Sequence, residues 1–259
     1  MKIAQITDLH LTCDCNASKN GVIPYESLLN VLSHIKINYP EIEEIVVTGD
    51  ISNDETRESY DYLQDALEKN NFKYSRWIAG NHDNQLLVDE FNNVNSKKIN
   101  EDALNLQNYT DWEILLLNTK IPKSVAGKVD DSDLQSILEM TRSYENKQLN
   151  EKNQKKFVIF MHHPLIEVES KWIDKVSIEN KNEVISKLSS SNSIKGVFCG
   201  HVHQEYFKEI NGIKFYTTPS TCYQFKPEAE SFKIDFSTTP GYRVIDFTTD
   251  NFSTYVVRI

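Results

Sequence analysis

The 259-residue chain carries 28 basic and 38 acidic side chains, a net charge of −10, with 39% hydrophobic and 25% charged residues. This composition excludes a disordered chain and provides for a sizeable core, in one large domain or two small ones. Lys and Arg are scattered rather than gathered into a stripe, which argues against a broad grip on nucleic acid. Met1–Asp8 lacks a signal-peptide pattern, and no apolar run approaches the ~20 residues of a membrane helix. A cytoplasmic protein with neither nucleic-acid nor membrane partner is expected.

In chain order, the apolar run Ile3–Thr7 reads as a buried strand and Tyr25–Ile37, behind Pro24, as a helix. Ile45–Thr48 is a second strand, followed by a helix over Glu55–Lys69 with Asp54 as its candidate cap. Strands follow at Tyr74–Ala79 and Ile114–Leu117, then a long polar helix over Ser132–Asn150, a strand at Phe157–Met161, a helix at Glu179–Ser189 and a strand at Val197–Cys199. Alternating strands and helices predict an α/β sandwich. The last third changes character. Glu205–Ile210 and Ile213–Thr218 flank the hairpin turn Asn211-Gly212, and Tyr242–Phe247 with Phe252–Arg258 make a second candidate pair. With no repeat and no Gly-, Pro- or Ser-rich linker, one domain over 1–259 is expected.

Five of the six early runs are followed directly by metal-binding side chains. Asp8 and His10 follow the first, Asp50 the second, Asn81, His82 and Asp83 the third, His162 and His163 the fifth, and His201 and His203 the sixth. Sites in α/β sheets gather beyond the carboxyl ends of strands, so these residues should meet in space. Six of the seven histidines lie there; only His34 does not. A buried cluster of unpaired imidazoles and carboxylates is costly unless a cation compensates it. Carboxylate, imidazole and carboxamide donors favour iron, manganese or zinc, and seven candidate ligands suit two ions sharing one carboxylate better than one ion. Cys13, Cys15, Cys199 and Cys222 are too few and irregular for a disulfide framework. Cys13 and Cys15, two apart, leave a soft-metal or redox pair as the alternative to passive thiols.

Read in order, Asp8-Leu9-His10, Gly49-Asp50, Gly80-Asn81-His82-Asp83, His162-His163-Pro164 and Gly200-His201-Val202-His203 resemble the five motif blocks of the calcineurin-like metallophosphoesterases. The resemblance implies a four-layer α-β-β-α sandwich of two mixed sheets flanked by helices, with 204–259 as C-terminal strands completing the second sheet and bordering the substrate pocket. It implies one ion on Asp8, His10, Asp50 and His203 and another on Asp50, Asn81, His162 and His201. His82 is then the catalytic acid beside the phosphate; Asn81, His82 and His203 face substrate; Asp83, His163 and Asp54 stand behind the ligands. Gly49, Gly80 and Gly200 let backbone approach the ions.

Finer features are similar to the class III 3′,5′-cyclic-AMP phosphodiesterases: Gly49-Asp50-Ile51-Ser52-Asn53-Asp54 with Glu58-Ser59-Tyr60, and the stretches Thr218–Phe225 and Pro240–Phe247. That likeness implies hydrolysis of cyclic AMP or a related cyclic nucleotide to the 5′-monophosphate, with Fe and Mn the expected ions and Zn, Co or Mg possible, by a monomer or homodimer. Protein phosphatases of the superfamily carry an Asp three residues after the bridging Asp to polarise the catalytic histidine. Here Asn53 stands in that place and Asp54 is the candidate substitute. Where these enzymes often have Asp-Ser after the fourth strand, this chain has Asn118-Thr119, and the Cys13–Asn20 segment matches no pattern. The alternative enzyme reading is another diesterase or pyrophosphatase of the superfamily, acting on glycerophosphodiesters, 2′,3′-cyclic nucleotides or nucleotide diphosphate conjugates. A non-catalytic scaffold is disfavoured because every ligand position is filled, and an exonuclease because neither a capping domain nor a basic surface is visible. Tyr223, Phe225, Phe232, Phe236 and Tyr242 are candidates to stack a base or cover an interface, with core packing the default.

Overall fold

The computed structural model describes residues 1–93, 111–147 and 155–259. Two five-stranded sheets form its centre. The first has the order β12-β11-β1-β2-β3, from β1 (Lys2–Ile6), β2 (Glu44–Thr48), β3 (Tyr74–Ile78), β11 (Gly241–Phe247) and β12 (Phe252–Arg258). The second has the order β4-β5-β6-β8-β7, from β4 (Trp112–Leu116), β5 (Lys156–Phe160), β6 (Ile194–Cys199), β7 (Phe207–Ile210) and β8 (Ile213–Thr217). β1, β2 and β3 run parallel, as do β4, β5, β6 and β8. Antiparallel β11–β12 and β7 make both sheets mixed.

Side-chain alternation along the strands builds the layers. On β1, Ala4 and Ile6 pack outward against Leu28, Val31, Leu32 and Ile35 of α1 (Pro24–Asn38) and Tyr60, Leu63 and Leu67 of α2 (Arg57–Lys69). Ile3 instead faces inward, joining Val46 and Ile78 of its own sheet to Val158, Phe160 and Phe198 of the other. On β5, Phe157 and Ile159 turn outward against Leu134, Ile137 and Leu138 of α4 (Asp131–Lys147) and Val184 and Leu188 of α6 (Lys181–Leu188). Helix, sheet, sheet and helix therefore stack in the order the sequence predicts. Each large apolar side chain so buried contributes roughly 1.5–3 kcal/mol. The short α3 (85–93) adds Val88 and Phe91 to the first outer core, and α5 (Lys171–Asp174) lies on the loop after β5.

The structure differs from several expectations. The last hairpin completes the first sheet: β11 pairs antiparallel with β1, Lys2 opposite Asp246 and Gln5 opposite Arg243. Only β7 and β8, around Asn211-Gly212 with positive φ at both turn residues, complete the second. Hairpin signals are local and do not encode which sheet edge the ribbon covers. Asp54 does not cap α2, whose first turn follows Thr56 without a side-chain cap. Its carboxylate instead accepts hydrogen bonds from Cys13 N, Thr56 N, and the Ser52 and Thr56 hydroxyls, closing the loop before the helix. The fourth strand starts earlier, at Trp112, and the last residues of the long expected helix, 148–150, lie outside the described residues.

A polar seam ties the sheets near the carboxyl ends of β1, β6 and β8. Gln5 Nε2 donates to Thr48 Oγ1 and Cys199 O, and Thr218 Oγ1 donates to Gln5 Oε1. Arg243, 1% exposed, donates to Thr218 Oγ1, Thr217 O and Thr254 Oγ1 and pairs with Glu205. A buried guanidinium is tolerable only with its donors engaged, and here they are.

Candidate metal centre

The carboxyl ends of β1, β2, β3, β5 and β6 converge, and each delivers side chains within one to five residues of its last strand position. Asp8 N and His10 N donate to Gly49 O and Asp50 O at 2.9 Å, so the loops after β1 and β2 run side by side. Gly200 N donates to His162 O at 3.0 Å, doing the same for β5 and β6. Asp8, His10, Asp50, His201 and His203 all have φ between 48° and 69°, a region that costs a non-glycine residue of order 1–3 kcal/mol and concentrates at functional sites. A Cβ on Gly80 would collide with Asp50, and one on Gly200 with Thr7 and Asp8; Gly49, at φ +94°, would strike His162. At all three positions the absence of a side chain lets the donor side chains pack against the backbone.

Asp8, His10, Asp50, His162, His201 and His203 are each at most 4% exposed, while Asn81 is half-buried. Their donor atoms fall into two groups. His203 Nε2 lies 3.2 Å from His10 Nε2 and 3.3 Å from Asp8 Oδ1. His162 Nε2 lies 3.2 Å from Asn81 Oδ1 and 3.4 Å from Asp50 Oδ1, with the His201 ring 5.1 Å from that of His162. Asp50 faces both groups, its Oδ2 being 4.0 Å from His10 Nε2. Bonds of about 2.0–2.2 Å to a central ion place neighbouring ligands roughly 3.0–3.5 Å apart, so these separations suit the edges of two coordination shells.

The protonation pattern fits cations too. His162 Nδ1 and His203 Nδ1 each donate, at 2.7 Å, to the carbonyl oxygens of Thr48 and Tyr223, which fixes both rings with Nε2 turned to the carboxylates, where a metal ion would take its lone pair. A lone pair 3.3 Å from the Asp8 carboxylate is repelled unless a cation lies between them. Burial pushes His10 well below the ordinary histidine pKa and His201 to about 3, toward the neutral imidazole that ligates metal. His10 Nδ1 and His201 Nε2 are hidden from solvent without hydrogen-bond partners. Burial alone would raise Asp8, but positive charge on the side of His203, His162 and His10 holds its carboxyl far below the usual range, and metal ions at those rings would supply that charge.

The supporting residues separate clearly. Asp83 accepts from Ile51 N, Ser52 N, Gly80 N and the Tyr60 hydroxyl, tying the β3 loop to the β2 loop. Burial, together with nearby Asp50, raises its pKa to about 6. Both nitrogens of His163 are engaged, Nδ1 by Thr119 Oγ1 at 2.8 Å and Nε2 by Val125 O at 3.0 Å, so it stands behind the centre although its ring is 4.6 Å from His201. Exposed His82 lines the cavity, anchored by its N–H on Asp50 Oδ1, and no described carboxylate is within ion-pair distance of its ring. Asp54 therefore does not polarise it; that carboxylate faces Cys13 and Thr56.

Sequence reading missed several partners. Lys120 Nζ donates to Asn81 O at 2.8 Å and Gly80 O at 3.3 Å, fastening the ligand loop from the second sheet. Thr7 Oγ1 and His201 N donate to the Asp8 carboxylate, and Ser220 Oγ to Asp8 O. The centre forms the floor of a cavity of about 330 Å³ whose rim includes Lys19, Asn20, Asn53, Trp172, Phe225 and Phe232. The Cys13–Asn20 segment thereby gains a place: Lys19 and Asn20 line the cavity together with Tyr223, whose ring stacks on His10 at 5.1 Å. All four cysteines are free, and no cysteine joins a metal-binding group among the described residues.

Residues 1–205 match the family model of the calcineurin-like phosphoesterases. The chain is 32% identical over 260 residues to the 3′,5′-cyclic adenosine monophosphate phosphodiesterase CpdA of Haemophilus influenzae, covering 100% of this chain and 90% of that protein. It is 29% identical over 263 residues to a 3′,5′-cyclic-nucleotide phosphodiesterase of Nostoc sp., covering 100% and 92%. In fold it resembles a dimetal phosphatase from Danio rerio, with a TM-score of 0.62 at 14% identity over 94% of each chain. No described helix is long and apolar enough to cross a membrane. Motif order, paired donor groups and full-length relatives agree: the chain belongs to the calcineurin-like phosphoesterase family and is a dinuclear-metal phosphoesterase.

Proposed function

We propose that this protein hydrolyses 3′,5′-cyclic AMP to 5′-AMP. The observation that carries the reading is the division of the buried donors into two groups that share Asp50, in a chain whose full-length relatives bear that activity in their names. Asp8, His10, Asp50 and His203 would hold one ion, and Asp50, Asn81, His162 and His201 the other. Bound there, the pair supplies an activated water and neutralises phosphoryl oxygens. With two carboxylates among the ligands, two divalent ions leave the centre net positive, which attracts a diester despite the chain's net charge of −10. Oxygen and nitrogen donors without thiolate favour iron and manganese, with zinc, cobalt and magnesium as substitutes.

Asn81, His82 and His203 all line the cavity over the donor groups, where the phosphate of the substrate would sit. The His82 side chain is exposed and its ring has no hydrogen-bond partner among the described residues, so its N–H is available to protonate the departing ribose oxygen while its main chain stays fixed on Asp50. Asp83 and Lys120 keep that loop in place from either side.

The test is turnover of 3′,5′-cyclic AMP by manganese-loaded protein, with glycerophosphocholine and bis(p-nitrophenyl) phosphate as comparison substrates and Asn81→Ala as control. Formation of 5′-AMP, lost in the variant, is expected. Hydrolysis of the other diesters with cyclic AMP untouched would replace the substrate.

A further inference from the structure

The rim of the cavity carries an aromatic wall that metal binding does not require. It rests largely on β9 (Gln224–Phe225) and β10 (Ile234–Asp235), a two-stranded ribbon outside both main sheets. Phe225 stacks face to face on the His203 ring, with centroids 3.9 Å apart and planes 14° from parallel. Trp172 of α5 meets Phe225 edge-on at 4.9 Å, and Phe232 meets Trp172 at 5.3 Å and Phe225 at 5.5 Å. The wall thus starts on a metal ligand and leads away from it, and it ends in Phe232, which is 55% exposed.

An isolated two-stranded ribbon is marginal in water, and here it is tethered. Gln204 Nε2 donates to Phe225 O, Ala229 N to Ser170 Oγ, and Lys171 pairs with Glu230. The Trp172 Nε1 donor is shielded from solvent and lacks a hydrogen-bond partner. The same cavity is also lined by the polar side chains of Lys19, Asn20 and Asn53. A corner of aromatic faces and edges beside a phosphate-binding floor, in a cavity that also carries polar side chains, matches a planar heterocycle joined to a phosphate through a sugar. Glycerol offers no flat ring for that surface.

We infer that Trp172, Phe225 and Phe232 form a nucleobase subsite, in which the base of the nucleotide packs on this wall and the Lys19–Asn53 side meets its polar edge. This deepens the phosphodiesterase reading and rests on it for the orientation of the nucleotide. Trp172 and Phe232 are specificity-determining groups, whereas Phe225 also buttresses His203.

The experiment is calorimetric binding of 5′-AMP, ribose 5-phosphate and inorganic phosphate to manganese-loaded protein, wild type against Trp172→Ala and Phe232→Ala, with Phe232→Tyr as the conservative variant. Binding is independent of turnover. The wild type is expected to hold 5′-AMP about tenfold to a hundredfold more tightly than ribose 5-phosphate, the usual range for stacking of one base. Both alanine variants should lose most of that preference while phosphate affinity stays as in the wild type, and Phe232→Tyr should restore it. Equal binding of 5′-AMP and ribose 5-phosphate to wild type would overturn the subsite even if cyclic AMP is hydrolysed. A preference that survives both alanine variants would overturn the assignment of the wall. If cyclic AMP is not a substrate but the preference appears and depends on the wall, the subsite stands and the cyclic-diester reading falls.

Discussion

The floor and the rim of the cavity are built by opposite means. On the floor, six ligand candidates are at most 4% exposed, each sits just beyond a central strand, and five carry positive φ. On the rim, Trp172, Phe232, Lys19 and Asn20 come from a one-turn helix, a two-stranded ribbon and the loop after β1, and all are partly or largely exposed. A packed core over-determines the backbone at the strand ends, so a metal centre needing fixed geometry belongs there. Recognition of a particular leaving group tolerates looser support, and loops can change it without disturbing the core. The comparison separates what sets the reaction from what selects its substrate.

Metal removal gives the largest expected effect on that division. Chelation should abolish turnover and lower the melting temperature, because the buried carboxylates and imidazoles then face each other uncompensated, and manganese should restore both. Retained turnover in chelator would show the floor to be something other than a metal centre. Next, His82→Ala should keep its metal content and lose roughly 10² to 10⁴ in kcat, the share of one acid-base group; wild-type kcat in that variant would remove the proton-donor role. Lys120→Met should cost about 10- to 100-fold in activity or metal affinity, as loss of an outer partner of metal ligands does, with Lys120→Arg recovering part of it. Metal titration and kcat measured together distinguish loop displacement from general unfolding.

The smallest effect should come from Asp54→Ala. Its carboxylate closes the loop at Cys13 and Thr56 and does not reach His82, so about 1 kcal/mol of stability should go, as for loss of a capping residue, while the pH dependence of kcat stays in place. A shifted pH profile would restore Asp54 as the group that polarises His82.

The same division explains what was legible in the sequence. Ile3–Thr7, Ile45–Thr48 and Phe157–Met161 announce buried strands, and the donors after them announce a site, because strand ends are fixed points in an α/β sheet. Asp83 and His163 were expected behind the ligands; in the structure Asp83 accepts from Ser52 N and the His163 ring is hydrogen-bonded to Thr119. The destination of β11–β12 was not readable, since the Tyr242–Phe247 and Phe252–Arg258 pattern fixes only their pairing with each other. Asp54 fits a capping signal yet faces back to Cys13, a contact 41 residues away along the chain. Lys120 is one of 28 cations, and nothing in its neighbourhood marks the two carbonyls it holds across the sheets. Trp172 and Phe232 belong to no periodic pattern; only folding brings them beside His203.

The central claim is that Asp50 is shared between two ions, and the most direct measurement is manganese stoichiometry by calorimetry on the metal-free chain, wild type beside Asp50→Asn. Two ions per chain are expected for the wild type, with both sites weakened together in the variant because one side chain serves both. One ion per chain in the wild type, or a variant that weakens one site and leaves the other intact, would contradict the shared bridge.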